Sequence, residues 1–235
     1  MQSAFYMTDH EHLKTLTDIR KMMERSSRFI SLSGLSGISA GISALIGAFI
    51  ANKWFTEYYQ RWEMRQGGAL TDYGDVGTRN YGYSTLEYID LRNNLILLGL
   101  GVMAAALFFG FLFTWRKAKR DNIPVWDRSA RRLAMNAFIP LATGGIFILG
   151  LMYNHAEKLT AASCLIFYGL ALINASKYTV SDVRYLGFTE TALGLLNLFF
   201  LNKGLYFWAI GFGFCHILYG SLMWWKYERK ASLQT

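Results

Sequence analysis

Apolar residues along this chain fall into long continuous runs instead of recurring at the period of an amphipathic helix or strand. Runs near twenty residues are typical of transmembrane helices. Lipid admits only helices and closed barrels, and barrel strands alternate between apolar and polar residues, so we predict helices. There are six such runs: 29–51, 95–115, 133–153, 159–176, 185–201 and 205–225.

The six runs predict an all-α integral membrane protein, a bundle of six transmembrane helices. The fifth run is the shortest, at the low end of the ~17–25 residues that a bilayer requires. The bundle is predicted as one domain, residues 28–235, with an outer loop at 52–94. Before it, residues 1–27 are predicted to form a cytoplasmic amphipathic helix, opened by a capping box of Thr8 and Glu11.

The distribution of charge predicts the orientation. The net charge is +8, and with the N-terminus inside, 17 of the 24 Lys and Arg residues lie on the inner side. Basic residues favour the cytoplasmic side, so we expect both termini in the cytoplasm and a multi-pass protein of the plasma membrane, in particular a bacterial inner membrane. No nucleic-acid-binding motif accompanies the charge, so nucleic acid is not an expected partner.

A basic segment separates the second and third runs, "RKAKRDNIPVWDRSARR". Its cations are expected to contact the phosphates of anionic lipids at the inner surface. The residues assigned to this role are Arg116, Lys117, Lys119, Arg120, Arg131 and Arg132.

The predicted outer loop is rich in aromatic residues and glycine. Trp54, Tyr58, Tyr59 and Trp62 are candidates for an interfacial aromatic belt. The loop has two interpretations, which the sequence does not separate. It is either a binding site for an external ligand or partner, or a lid over the bundle.

Small residues cover one side of the first run, "SLSGLSGISAGISALIGA". Glycine and other small side chains let helix backbones approach closely in lipid, and a GxxxG motif is present. We favour a contact within the chain and keep a homo-oligomer through this run as the alternative. The predicted packing residues are Ser33, Gly37, Gly41, Ala44 and Ala48.

Glu190 interrupts the fifth run, where a carboxylate is costly unless it is paired or neutralised. The fifth and sixth runs are joined by a short turn, so His216 is expected at a similar depth. The pair could serve as a proton relay, a coupling site or a ligand anchor, or could simply tie two helices together. The residues proposed for a ligand or proton path are Glu190, His216, Thr189, Thr191, Asn197 and Asn136.

Other chemistry finds little support in the sequence. There is no P-loop, nucleophile elbow or zinc cluster, and Cys164 and Cys215 lie inside apolar runs. We therefore predict no metal or cofactor and place an enzyme last among the functions. A small transporter or channel is favoured because a carboxylate such as Glu190 is costly inside a membrane, and a functional role would explain its presence. The alternative is a sensor or scaffold that binds a ligand or partner through the outer loop.

Overall fold

A computed structural model describes residues 33–69, 80–122 and 124–228 of the chain. Within these ranges the backbone is almost entirely helical and holds no strand, which confirms the all-α prediction. The predicted amphipathic helix of residues 1–27 lies outside the described residues. The long helices are α1 (Gly34–Ala69), α2 (Asn80–Arg120), α3 (Arg128–Tyr153), α4 (Thr160–Ala175) and α5 (Val183–Asn197).

The last helix is continuous but changes its winding along its length. Two α-helical stretches alternate with two π-helical stretches in residues 204–228, which we call the segmented helix. Its parts are Gly204–Trp208, a π-helix at Ala209–Cys215, His216–Met223 and a π-helix at Trp224–Glu228. π-helical turns are rare and occur often at functional sites.

The helix ends beside the short connections are stabilised by nearby residues. Asp127 caps α3 by accepting a hydrogen bond of 2.6 Å from the backbone N–H of Ala130. Asn122 and His155, which follow α2 and α3, adopt positive φ values of 52° and 56°. Asparagine and histidine are among the residues that tolerate this conformation best, so both helices end where the sequence permits a reversal.

The predicted outer loop at 52–94 is mostly helical. Residues 52–69 continue α1 and residues 80–94 belong to α2. The apolar run ends near Ala51, but the residues that follow contain nothing that would end a helix. Residues 52–69 include no proline, and their glycines are Gly67 and Gly68, at the end of α1.

Among the described residues, five helical stretches are long and apolar enough to cross a membrane by length and composition: Gly34–Met64, Leu86–Arg120, Arg128–Tyr153, Glu157–Tyr178 and Leu201–Lys226. α5 is shorter, with 15 residues. Large apolar side chains cover the surface of α2 and α3, including Leu97, Leu107, Phe111, Phe138, Ile146 and Leu149. A membrane protein is therefore the class that the fold supports.

Contacts between the helices define two ends of the molecule. α1 packs between α2 and the segmented helix, α5 packs on α4, and α3 lies on the other side of α4. At one end, Lys226 Nζ lies 2.7 Å from Asp182 Oδ2. At the other, Arg92 Nη1 lies 3.9 Å from Glu157 Oε1. We call these the Asp182 end and the Phe200 end, the second after the turn that follows α5.

The small residues of α1 lie against the segmented helix. A methyl group added to Gly37 would lie 3.1 Å from the Gly220 Cα, and one added to Gly41 would lie 2.6 Å from the Gly213 carbonyl oxygen. Ser33, Ala44 and Ala48 are buried as well. This face of α1 is therefore covered by a contact within the chain.

One basic residue lies elsewhere than the sequence predicted. Lys117 was assigned to lipid phosphates, but its side chain is 8% exposed and Nζ lies 3.9 Å from Glu228 Oε1. The same oxygen accepts hydrogen bonds from the Ser33 hydroxyl, at 3.1 Å, and the Gly34 backbone N–H, at 2.7 Å. Lys117 is therefore part of a buried cluster that joins α1, α2 and the segmented helix. The other predicted lipid contacts are exposed: Arg116, Lys119, Arg120, Arg131 and Arg132.

Candidate functional site

The candidate site is built around Glu190, the carboxylate in the middle of α5. Its side chain is completely buried, at 0% exposure, at the midpoint of the helix. About seven residues, or two helical turns, separate it from either end of α5. Glu190 cannot reach solvent from this position, so the groups around it decide its chemistry.

His216 of the segmented helix meets Glu190 directly. Its Nδ1 lies 3.3 Å from Glu190 Oε1 and 3.0 Å from the Gly211 carbonyl oxygen. Because a carbonyl oxygen only accepts, we assign a proton to Nδ1, which donates to Gly211. The contact with Glu190 is then a close approach of charge-bearing groups rather than a hydrogen bond.

Tyr168 of α4 contacts the second ring nitrogen of His216. Its hydroxyl lies 2.8 Å from His216 Nε2. With Nδ1 protonated, Nε2 accepts from this hydroxyl when the ring is neutral and donates to it when the ring is a cation. The tyrosine hydroxyl can therefore stay hydrogen-bonded in both states of the ring.

Sequence reasoning missed Tyr168. The available signal is that it is the single tyrosine in the apolar run 159–176. A buried tyrosine usually finds a partner for its hydroxyl, so a tyrosine within such a run is itself a sign of a polar partner on a neighbouring helix. Its partner could not be identified, because the faces that α4 and the segmented helix present to each other depend on packing.

Gly211 makes room for the carboxylate. A methyl group added there would lie 2.5 Å from Leu165 Cδ2 and would collide with Glu190 Oε2. Gly211 also belongs to the π-helix Ala209–Cys215, which ends immediately before His216. The Gly211 carbonyl oxygen in this stretch accepts from the ring of His216, five residues later.

Both carboxylate oxygens of Glu190 lack a hydrogen-bond partner among the described residues. Buried polar groups are nearly always hydrogen-bonded, and an exception in a native protein requires an explanation such as a water, an ion or a catalytic role. A buried carboxylate that receives no hydrogen bond from the described residues is one that a bound water molecule or a proton would satisfy.

Asn197 forms a second polar position on the same face of α5. It is completely buried, and its Nδ2 donates 3.1 Å to the Phe200 carbonyl oxygen in the turn after the helix. Its Oδ1 has no partner among the described residues, and the same is true of Thr160 Oγ1 at the start of α4. The Phe200 end of the interface thus holds further unpaired acceptors.

The remaining residues of the predicted path do not join the Glu190 site. Thr189 is exposed on α5 and bonds its own helix at Tyr185, 3.0 Å away. Thr191 bonds the Gly187 carbonyl oxygen at 2.9 Å, in the contact between α5 and α4. Asn136 is half-buried on α3, and its backbone oxygen accepts a hydrogen bond of 2.8 Å from the Asn174 side chain.

In the part of the chain that the structure describes, no three His, Cys, Asp or Glu side chains are grouped so that they could hold a metal ion. The site brings together Glu190, His216 and Tyr168 from three helices. Comparison with protein families, curated proteins and solved structures finds no match to this chain.

Proposed function

We propose that this protein is a small membrane transporter in which Glu190 and His216 take up and release a proton during the transport cycle. The observation that carries the proposal is the fully buried carboxylate 3.3 Å from an imidazole nitrogen, with neither of its oxygens hydrogen-bonded among the described residues. Ionisable residues inside a membrane are costly and commonly mark proton relays or substrate paths.

Nδ1 of His216 keeps its proton throughout. Besides that proton, the Glu190–His216 pair can hold one or two more without a large rearrangement. A carboxylate beside an imidazolium and a carboxylic acid beside an imidazole contain the same number of protons and have the same net charge. Addition of one more proton gives a carboxylic acid beside an imidazolium. Tyr168 satisfies Nε2 in each case, since its hydroxyl can donate or accept.

Burial of the site favours a transporter over an open channel. Glu190 is 0% exposed and His216 is 6% exposed, so a substrate reaches them only after the helices move. An open pore would expose its lining residues to water. The π-helix at Ala209–Cys215 is a candidate for this movement because its winding differs from that of the flanking α-helices.

We propose six membrane crossings, with α5 as the shortest. α5 is flanked by the Asp182 end and the Phe200 end and packs along α4, so it follows its neighbours across the same layer. The basic residues concentrate at the Asp182 end, which supports a cytoplasmic Asp182 end and cytoplasmic termini in a bacterial inner membrane. Exposed cations at that end would contact anionic lipid.

The decisive experiment is proton flux in proteoliposomes between pH 5 and pH 8. The variants are Glu190→Gln and, as a matched control, Glu63→Gln, which alters an exposed carboxylate on α1. The proposal predicts flux in the wild type and in Glu63→Gln, with loss of flux or of its pH dependence in Glu190→Gln. Equal flux from folded wild type and Glu190→Gln contradicts it.

A sensor or scaffold is the second candidate, and the long helices α1 and α2 favour it. Both continue past the apolar stretch toward the Phe200 side, with large side chains exposed, among them Tyr59, Trp62, Leu86 and Tyr88. A photo-crosslinking residue at Trp62 would then capture a partner in cells, and one at the lipid-facing Phe111 would not. Capture at Trp62, with no flux in any reconstitution, would favour the sensor.

A further inference from the structure

α5 and the segmented helix are aligned so that two polar residues face two glycines. Glu190 Oε2 contacts the position that a Gly211 methyl would take, and Asn197 Oδ1 lies 3.8 Å from the corresponding position at Gly204. The two polar residues are about two turns apart on one helix, as are the two glycines on the antiparallel helix. The interface therefore repeats one arrangement at two depths.

Four buried oxygens without a hydrogen-bond partner among the described residues lie at the site or between it and the Phe200 end. They are Glu190 Oε1 and Oε2, Asn197 Oδ1 and Thr160 Oγ1. Glu190 and Asn197 are both 0% exposed. Two buried side chains with unpaired oxygens require donors, and water molecules are the donors that also carry protons.

The buried face of α5 toward the Asp182 end is apolar. Leu186 and Val183 lie there, whereas the buried residue toward the Phe200 end is Asn197. The contact with α4 is equally close in both halves: a methyl group would lie 2.8 Å from the Gly169 carbonyl oxygen at Gly187 and 2.9 Å from the Ala162 carbonyl oxygen at Gly194. The two halves of α5 therefore differ in the polarity of their other buried side chains.

We propose that protons reach Glu190 from the Phe200 end, along a chain of water molecules between α5 and the segmented helix. Thr160 and Asn197 would orient the waters, and Gly204, which bears no side chain, would leave room for them beside Asn197. The inference rests on the proposed proton site and adds the side of access. In the step itself, a proton passes from hydronium through hydrogen-bonded water to the Glu190 carboxylate, which becomes a carboxylic acid as water is regenerated.

The distances suit a short water chain. Glu190 and Asn197 are separated by ~10 Å along α5, which corresponds to roughly three waters at ordinary hydrogen-bond spacing. The titratable groups facing Glu190 are His216 on the segmented helix and Tyr168 on α4, and Cys215 also interacts with it electrostatically. These groups surround the end of the path and do not block the side toward Asn197.

The test measures the infrared carboxyl band of Glu190 after the pH is changed on one side of oriented proteoliposomes. The band is identified by its loss in Glu190→Gln. Asn197→Leu replaces the polar side chain by an apolar one of similar size. Gly204→Ala is a milder second variant, since its methyl would lie 3.2 Å from Ala161 Cβ and 3.8 Å from Asn197 Oδ1. Thr189→Val, on the exposed side of α5, is the control.

We expect the wild-type band to respond faster to pH at the Phe200 side than at the Asp182 side. Asn197→Leu and Gly204→Ala should slow that response by roughly tenfold or more and leave its end point unchanged, with no change in Thr189→Val. An unchanged rate in both folded variants, or faster access from the Asp182 side, overturns the inference and leaves the proton site intact. A Glu190 band that responds to neither side overturns the proton site itself.

Discussion

The Tyr168 hydroxyl lies 2.8 Å from Nε2 of His216, and this contact fixes one face of α4 against the segmented helix. The rings of the two residues are also close, with centroids 5.3 Å apart. On its other side the histidine approaches Glu190 of α5. Three helices therefore meet at one imidazole, and the geometry of the site depends on all three.

Removal of the Tyr168 hydroxyl should weaken the protein. Tyr168→Phe leaves His216 Nε2 buried without its partner, which costs ~1–3 kcal/mol for an unsatisfied buried group. Thermal unfolding in detergent should show the loss. Tyr206→Phe, an exposed tyrosine on the segmented helix, should leave the unfolding temperature unchanged. Equal unfolding temperatures for Tyr168→Phe and wild type would show that the hydrogen bond contributes nothing to stability.

The contact between α1 and the segmented helix should tolerate no added methyl group at Gly220. A side chain there would lie 2.6 Å from the Gly34 carbonyl oxygen and from the Ile38 backbone nitrogen, and neither backbone can easily move. Overpacking of this kind typically costs ~1–3 kcal/mol. We therefore expect Gly220→Ala to unfold at lower temperature or denaturant concentration than the wild type.

The matched control for Gly220→Ala is Gly101→Ala on α2. No atom lies within 4 Å of the position that its methyl group would take. The same chemical change should therefore be neutral there, or slightly stabilising because alanine favours the helix. Similar losses of stability in the two variants would mean that the close approach of α1 and the segmented helix does not limit the fold.

Glu228 should stabilise the Asp182 end through its charge and through its hydrogen bonds. Glu228→Ala removes the acceptor for Ser33 and Gly34 and leaves the Lys117 ammonium buried without this carboxylate. Loss of a helix cap alone costs ~1 kcal/mol, and loss of a buried charge partner costs ~3–5 kcal/mol. Glu228→Gln keeps an acceptor oxygen, so we expect a smaller loss than in Glu228→Ala.

A double-mutant cycle separates the two contributions of Glu228. Lys117→Met removes the buried charge and keeps a long side chain, so the Glu228→Ala change should cost less in that background than in the wild type. Lys226→Ala, which breaks the exposed pair with Asp182, should change stability by less than ~1 kcal/mol. Additive effects of Lys117→Met and Glu228→Ala in the unfolding measurement would show that the two side chains do not interact.

The helical fold could be predicted from the sequence because lipid leaves few alternatives for an apolar run. Run lengths located the helices to within a few residues at α4 and α5 but ended α1 too early. The reason is physical: hydropathy follows the apolar character of the side chains, whereas the helix continues through the more polar residues 52–69 on its own backbone hydrogen bonds.

The site could be predicted only in part. Glu190 and His216 stand out because polar residues inside a membrane are costly, and the short turn between their helices gives similar depths. The sequence does not indicate which face each helix presents, and for this reason the predicted path includes Thr189, which is exposed on α5, and Asn136, which is half-buried on α3. Lys117 was assigned to lipid because nothing near it in sequence marks Glu228 as a partner.

The number of crossings can be tested by cysteine accessibility at the two ends of α5. Ser181 and Asn202 are both exposed and flank the helix. In a background with Cys164 and Cys215 replaced by alanine, Asn202→Cys should react with a membrane-impermeant maleimide added to intact bacterial cells. Ser181→Cys should react only after permeabilisation, because six crossings with cytoplasmic termini place the Asp182 end inside. Labelling of both positions in intact cells, or of neither, would mean that α5 does not cross the membrane. Labelling of Ser181→Cys alone would keep the crossing and reverse the orientation, which would also reverse the side from which protons reach Glu190.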